Sequence, residues 1–157
     1  MFSSRSMEHF KKDLFNRFRE RNADNTSHWD YNCGGYALGT YSWYLPSYDD
    51  ECWGIFQNYS EERVAEITEE AVEVMLRDFT DLRLITDLRQ VQWNEYAIAF
   101  RVSSDGDFHY CKQESKKRWT HKRGNTQICR ISEKYIFGSV WYGRYNGPII
   151  LFAKKRG

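Results

Sequence analysis

Residues 32–41 read Asn32-Cys33-Gly34-Gly35-Tyr36-Ala37-Leu38-Gly39-Thr40-Tyr41. Asn32 is a favourable N-cap residue, because its side-chain oxygen can accept a backbone N–H from the first turn of a helix. The stretch predicts a helix over about residues 33–44, which Pro46 then stops. Cys33 would lie at the helix N-terminus, where the positive end of the helix dipole favours a thiolate. We expect an activated cysteine here; the simpler alternative is a buried structural cysteine in a turn.

Size and cysteine usage point to one domain in a reducing compartment. The 157 residues suit a single hydrophobic core. Four cysteines, at positions 33, 52, 111 and 129, are too few for a secreted disulfide scaffold. No apolar run has the length of a transmembrane helix, and the N-terminus lacks the apolar core of a secretory signal. We therefore expect free thiols and a cytoplasmic location.

Hydrophobic periodicity divides the chain into helices followed by strands. Helices are predicted at residues 6–21, 33–44 and 60–79. Strands are predicted at residues 96–102, 108–113, 117–122, 127–131, 135–142 and 149–153, while residues 82–88 form a short apolar segment of either type. This order predicts an α+β fold, in which N-terminal helices pack on an antiparallel sheet of about five to six strands.

A predicted hairpin brings two histidines together. With a three-residue loop over 114–116, His109 pairs directly with His121, at a Cβ separation of about 4.5–5.5 Å. Cys111 and Trp119 then share the histidine face, and the opposite face is polar. One apolar face and one polar face are typical of a half-buried antiparallel sheet.

A helix-terminal cysteine and two facing histidines are the components of a thiol hydrolase. In that chemistry Cys33 is the nucleophile, His109 is the general base and acid, and His121 orients the His109 ring. The backbone N–H of Cys33 can contribute to an oxyanion hole. We expect a thiolate–imidazolium pair at neutral pH, because the cysteine lies at a helix end and faces the histidines.

Three motifs of the chain resemble those of the NlpC-type papain-like cysteine hydrolases, and in particular a poorly described bacterial and phage branch. The motifs are Asn32-Cys33-Gly34-Gly35-Tyr36-Ala37-Leu38-Gly39, Asp107-Phe108-His109-Tyr110-Cys111-Lys112-Gln113 and Trp119-Thr120-His121-Lys122-Arg123-Gly124. The resemblance covers about residues 29–124. The chain departs from better-known members at residues 34–35, where two glycines replace Ser-Gly.

The resemblance implies a papain-like fold and a Cys-His-His triad formed by Cys33, His109 and His121. Residues 29–157 would be the catalytic core, preceded by a helical extension over residues 1–28. The implied activity is hydrolysis or transfer at an amide or peptide bond, by a peptidase, amidase, deamidase or acyltransferase that needs no cofactor. The implied substrate is a peptide or protein, including a peptidoglycan peptide, in the cytoplasm or in a host cell into which the protein is delivered.

Several aromatic residues are candidates for lining the substrate cleft, namely Trp29, Tyr31, Tyr36 and Trp119. Aromatic side chains of this kind supply large contact areas in binding sites, and they do the same in hydrophobic cores. The sequence leaves both roles open for each of them.

Three other functions compete with the hydrolase. His109, Cys111 and His121 share a sheet face and could bind zinc with Cys33 or Cys129, although no Cys-x-x-Cys or His-x-x-x-His pair is present. The chain could also be a non-catalytic binding or inhibitor module on the same scaffold. Residues 101–157 carry a net charge of +9, but they contain no recognisable nucleic-acid-binding motif. The oligomeric state is left open.

Overall fold

A computed structural model describes residues 30–46, 58–123 and 127–157. The predicted helix at residues 6–21 lies outside these ranges. The described elements are α1 (Cys33–Leu38), α2 (Glu61–Asp78), β1 (Leu82–Ile85), a 3-10 turn (Leu88–Gln90), β2 (Glu95–Val102), β3 (Phe108–Ser115), β4 (Arg118–Lys122), β5 (Ile128–Ile131), α3 (Glu133–Ile136) and β6 (Ile150–Lys155). The apolar segment after residue 82 is therefore a strand.

The strands of the described ranges form one open sheet in the order β1-β6-β2-β3-β4-β5. Every neighbouring pair is antiparallel. A mixed α/β fold with an antiparallel sheet of six strands is thereby confirmed. All eight residues of β2 are buried, because this strand has a neighbour on each side and both of its faces are covered.

The two sheet faces carry separate hydrophobic clusters. Helices α1 and α2 cover one face, where Leu38, Ile67 and Met75 pack with Phe100 of β2 and Tyr110 of β3. This is the helical face. The other face packs residues of β2 and β3 with α3 and the segment after it; the members include Ala99, Cys111, Ile136, Trp141 and Tyr145. This is the tryptophan face. The core therefore has two layers, one on each side of the sheet.

Helix α2 confirms the clearest helical prediction. The Ser60 side chain accepts the backbone N–H of Arg63 at 3.2 Å, so Ser60 caps the helix as expected. Two glutamates occupy the first turn, where the helix dipole favours negative charge. None of the helices in the described ranges is long and apolar enough to cross a membrane.

The predicted end of the cysteine helix and the predicted strand at residues 135–142 are wrong. Helix α1 stops at Leu38 and does not continue to residue 44, because Gly39 adopts a left-handed φ of 75° and its N–H caps the helix carbonyls. The segment 135–142 is not a strand. Ser132 instead caps the short helix α3, and the chain then turns at Tyr142 and Gly143, which have φ values of 54° and 62°.

Candidate functional site

The Asn32 side chain joins the first turn of helix α1 to the returning segment that contains Tyr44. Its Oδ1 accepts the backbone N–H groups of Gly35 at 2.9 Å and of Tyr44 at 3.1 Å, and its Nδ2 donates to the Tyr44 carbonyl at 3.0 Å. The returning chain comes so close that a Cβ on Gly35 would lie 1.8 Å from the Ser42 carbonyl oxygen. Glycine is therefore required at position 35 for steric reasons, and Asn32 is confirmed as the N-cap of the cysteine helix.

Cys33 lies at the N-terminus of α1, where strands β3 and β4 stop pairing. The ladder between these strands begins at Lys112 opposite Thr120. Tyr110 lies beyond the ladder, and its backbone N–H donates to the Cys33 sulfur, as does that of Gly34. These bonds favour a thiolate, but the side chain is only 5% exposed and burial raises the pKa of the Cys33 thiol to about 12. The resting thiol is protonated.

A buried lysine also faces the cysteine. Lys122 is fully buried on the helical face, and its Nζ donates to the Tyr31 carbonyl at 2.6 Å. Burial lowers the pKa of the ammonium to about 8, against the opposing effects of the Cys33 and Asp30 charges. The Lys122 charge in turn lowers the pKa of Cys33. Strand alternation was the available signal for this residue, since the neighbour of His121 must point to the opposite face.

The histidines form a hydrogen-bonded pair. Nε2 of His109 lies 2.9 Å from Nδ1 of His121, and the rings meet edge to face at 84°. Burial lowers the pKa of His109 to about 3, helped by the neighbouring His121 charge, and it lowers the pKa of His121 to about 4. Both imidazoles are therefore neutral at pH 7. The expected thiolate–imidazolium pair is not the resting state of this structure.

The hairpin turn is shorter than the sequence suggests. The predicted three-residue loop over 114–116 is wrong, because β3 continues to Ser115 through an irregularity after Gln113. The turn contains only Lys116 and Lys117, and Lys117 adopts a φ of 61°.

This turn shifts the strand register by two positions. Lys112 pairs with Thr120, and continuing by one residue places Cys111 opposite His121. The predicted direct pairing of His109 with His121 is therefore wrong, and the two rings meet diagonally. A shift of two preserves the faces, because strand side chains alternate with a period of two.

The predicted assignment of side chains to the two faces of the hairpin is confirmed, but the expectation that only the histidine face is buried is wrong. Cys111 and Trp119 belong to the cluster on the tryptophan face, where the His109 ring lies 6.1 Å from the Trp141 ring. The opposite face is not solvated: Thr120 and Lys122 are buried, since α1 packs against β3 and β4.

The structure brings the two histidines together and places Cys33 on the other face of the sheet. Cys33 packs with Tyr110 on the helical face, whereas His109, the preceding residue of β3, points to the tryptophan face. Within residues 30–46, 58–123 and 127–157, no hydrogen bond joins the Cys33 thiol to either imidazole. The Cys33 sulfur nevertheless lies at the end of the β3–β4 ladder, where it accepts a hydrogen bond from the Tyr110 N–H.

Tyr142 is the residue that sequence reasoning missed. Its hydroxyl lies 2.8 Å from Nε2 of His121 and 2.9 Å from Nδ1, and its ring is nearly parallel to the imidazole, at 13°. The Arg123 guanidinium lies 4.1 Å from the centre of the Tyr142 ring. The tyrosine follows Trp141 in the segment that was predicted to be a strand, so the sequence pattern gave no sign of its position.

Asp107 has a structural position beside the pair. Its Oδ2 accepts the Tyr145 hydroxyl at 2.9 Å and forms an ion pair with Arg144 at 2.9 Å. Its Oδ1 accepts the Phe108 N–H at 2.8 Å. These bonds hold the Tyr145 ring 5.5 Å from the His109 ring. Asp107 therefore shapes the wall of the site through Tyr145.

The predicted substrate-contacting aromatics that the structure describes are buried. The Tyr31 ring lies 4.9 Å from Lys122 Nζ. The Tyr36 hydroxyl bonds to Thr120 Oγ1 at 2.6 Å. Trp119 Nε1 donates to Glu133 Oε1 at 3.2 Å. Trp29 lies outside the described residues.

A second cysteine lies beside the histidines. One nitrogen of each of His109 and His121 and the sulfur of Cys111 all lie within 4.8 Å of one another, and all three side chains are buried. Among the described residues, neither Cys33 nor Cys129 belongs to this group. Cys129 is opposite His121 on β5, but its side chain is exposed.

Comparison with known proteins finds no match to this chain. No family model matches the chain, and neither the curated proteins nor the solved structures include a significant match to it. The likeness to the NlpC-type hydrolases thus rests on the three motifs quoted above.

Proposed function

We propose that the chain is a thiol hydrolase on a papain-like scaffold, acting on an amide or peptide bond. Cys33 is the nucleophile, His109 is the general base and acid, and His121 orients His109. The observation that carries the proposal is the 2.9 Å hydrogen bond between His109 Nε2 of β3 and His121 Nδ1 of β4, the two strands against which the cysteine helix packs. When His109 is the donor in this bond, the proton lies on its Nε2 and its Nδ1 is free to act as the base.

We assign the tautomer that the triad role requires. In this assignment His109 Nε2–H donates to Nδ1 of His121, and His121 Nε2–H donates to the Tyr142 hydroxyl, which lies 2.8 Å from Nε2 and 2.9 Å from Nδ1. This arrangement leaves the lone pair of His109 on Nδ1, the nitrogen that must accept a proton from the nucleophile. His121 therefore has the role of the third triad residue, since it fixes which nitrogen of the base is basic.

The proton moves during attack, because the buried thiol and imidazoles are neutral at rest. The Cys33 sulfur attacks the substrate carbonyl carbon as a bridging water relays its proton to His109 Nδ1, since the two side chains lie on opposite faces of β3. The oxyanion accepts the backbone N–H of Cys33, and His109 then returns the proton to the leaving amine. Water releases the acyl group from the resulting thioester.

The substrate that suits this chemistry is a peptide or protein, including a peptidoglycan peptide. The support for it is the motif resemblance to bacterial and phage enzymes. Action in the cytoplasm or in a host cell is part of the same proposal.

Site-mapped alkylation tests the assignment of the nucleophile. The wild type, Cys33→Ser and His109→Ala would be treated with iodoacetamide at neutral pH and the labelled cysteines identified by mass spectrometry. We expect His109→Ala to slow the labelling of Cys33 and to leave that of Cys129 unchanged. Equal labelling of Cys33 in the wild type and in folded His109→Ala would contradict the proposal. Cys129 is the internal control because it is exposed on β5.

A further inference from the structure

We propose that His109, Cys111 and His121 form a binding site for one Zn²⁺ ion. The ligands are His109 Nε2, His121 Nδ1 and Cys111 Sγ, on adjacent strands of the tryptophan face. Nitrogen and thiolate sulfur are the ligand types that Zn²⁺ prefers in proteins. This site is distinct from the proposed nucleophile, since Cys33 is on the other face of the sheet.

The spacing of the ligand atoms is close to that of a metal site. The two imidazole nitrogens lie 2.9 Å apart. Tetrahedral coordination with Zn–N distances of 2.0–2.1 Å separates two nitrogens by about 3.3 Å, and a nitrogen from a thiolate sulfur by about 3.6 Å. The three ligand atoms lie within 4.8 Å of one another, so side-chain movements of about 1 Å bring them to these separations and make room for the ion.

The shifted register creates this grouping. Continuing the observed ladder sets Cys111 opposite His121, with His109 two residues away on the same strand face. In the predicted register Cys111 would instead be opposite residue 119, farther from His121. Three donors thus come from two adjacent strands at the centre of a buried layer. All three side chains are at most 4% exposed.

The surroundings also resemble those of a metal ligand set. A ligating histidine usually donates its other ring N–H to a polar group, which fixes the ring. The Tyr142 hydroxyl lies 2.8 Å from Nε2 of His121 and 2.9 Å from Nδ1, so it can accept the Nε2–H once the ion occupies Nδ1. Binding converts the Cys111 thiol to a thiolate and releases its proton to solvent. Three protein ligands leave a fourth position for water.

Zinc at this site would oppose the proposed hydrolysis, a consequence that rests on the proposed function. Zn²⁺ on Nε2 of His109 keeps the remaining ring proton on Nδ1, so that nitrogen cannot accept the proton of Cys33. Metal binding itself does not depend on hydrolase activity, and the two proposals use different cysteines.

Cobalt is the spectroscopic probe for the site. The full-length chain would be unfolded in chelator and reductant, refolded and titrated with Co²⁺, followed by Zn²⁺. We expect one Co²⁺ per chain, a thiolate-to-cobalt charge-transfer band and loss of the band when Zn²⁺ is added. The band should disappear in Cys111→Ser and Cys111→Ala and persist in Cys33→Ser and Cys129→Ser. Circular dichroism would confirm that each variant is folded.

X-ray absorption at the zinc edge gives a readout that needs no variant. The Zn²⁺-loaded wild type should show one sulfur neighbour at about 2.3 Å, with nitrogen or oxygen ligands at about 2.0–2.1 Å. Failure to bind Co²⁺, a sulfur-free spectrum, or a charge-transfer band that survives in Cys111→Ser would overturn the zinc site. None of these results bears on Cys33 alkylation in the metal-free protein, so the two proposals can fail separately.

Discussion

Nε2 of His109 lies 2.9 Å from Nδ1 of His121, although the β3–β4 ladder does not set the two residues opposite each other. The contact is diagonal, and it leaves Cys111 as the residue across from His121. The buried imidazole pair therefore has one thiol beside it on its own face, that of Cys111, while the Cys33 thiol lies on the other face of the sheet. The proposed zinc site uses the first thiol, and the proposed hydrolysis uses the second.

Removal of His121, the proposed orienting residue, should slow the alkylation of Cys33 less than removal of His109, the proposed base. We expect His109→Ala to reduce the alkylation rate of Cys33 by about 100-fold, in the range of a general-base contribution. His121→Ala should reduce it by about tenfold, with partial recovery in His121→Asn, whose amide oxygen can still accept from His109. Rates would come from mass spectrometry of labelled peptides. A larger loss in His121→Ala than in His109→Ala would reverse the assigned roles.

The stability of the fold should decrease as acid protonates the unfolded chain. Burial lowers the pKa of His109 from 6.5 to about 3 and that of His121 from 6.5 to about 4, so the unfolded state binds more protons between these values. The contribution of the two neutral imidazoles to the free energy of unfolding is complete above pH 6.5. It is lost as the pH falls towards their folded-state pKa values of about 4 and 3. Urea unfolding at pH 7, 5.5 and 4.5 would show this. His109→Gln should flatten the dependence; an unchanged slope would refute this origin.

The two glycines after Cys33 should differ in their tolerance of a methyl group. A Cβ on Gly35 would lie 1.8 Å from the Ser42 carbonyl oxygen, whereas a Cβ on Gly34 would lie 3.1 Å from the edge of the Tyr110 ring. We expect Gly35→Ala to lower the free energy of unfolding by about 3 kcal/mol or more, and Gly34→Ala by about 1 kcal/mol. Urea titrations would compare them, and similar values for the two variants would disprove the close approach of Ser42.

The buried charge beside the cysteine should tune its reactivity. Lys122→Met removes a charge that lowers the pKa of Cys33, so we expect Cys33 alkylation at neutral pH to slow about threefold to tenfold. Lys112→Met is the matched control. Lys112 is on the same face, 5.0 Å from the Tyr36 ring and 4.9 Å from the Tyr96 ring. If both variants slow labelling equally, the effect is one of packing and not of charge at Cys33.

Local signals in the sequence were enough to predict the positions of several elements. Asn32 and Ser60 are caps whose chemistry acts within one turn, and the apolar run at residues 96–102 marks a strand that is buried on both faces. Alternation along β3 and β4 also predicted which side chains share the face of His109, because a period of two is a property of the strand itself.

The parts that failed depend on non-local geometry. The irregularity after Gln113 shortens the hairpin turn, and nothing in the residue types specifies it. The early end of α1 depends on the left-handed conformation of Gly39. Tyr142 reaches His121 through a turn with positive φ after α3. The protonation states of Cys33 and His109 follow from burial, which only the packed structure reveals.

The pH dependence of Cys33 alkylation is the most direct test of the proposed nucleophile and base. With His109 as the base, the rate should rise as the imidazole loses its proton in the acidic range and should level off before pH 8. In His109→Ala the rate should instead keep rising with pH towards the raised pKa of the buried thiol, about 12. A wild-type profile that keeps rising above pH 8 and matches that of His109→Ala would contradict the account.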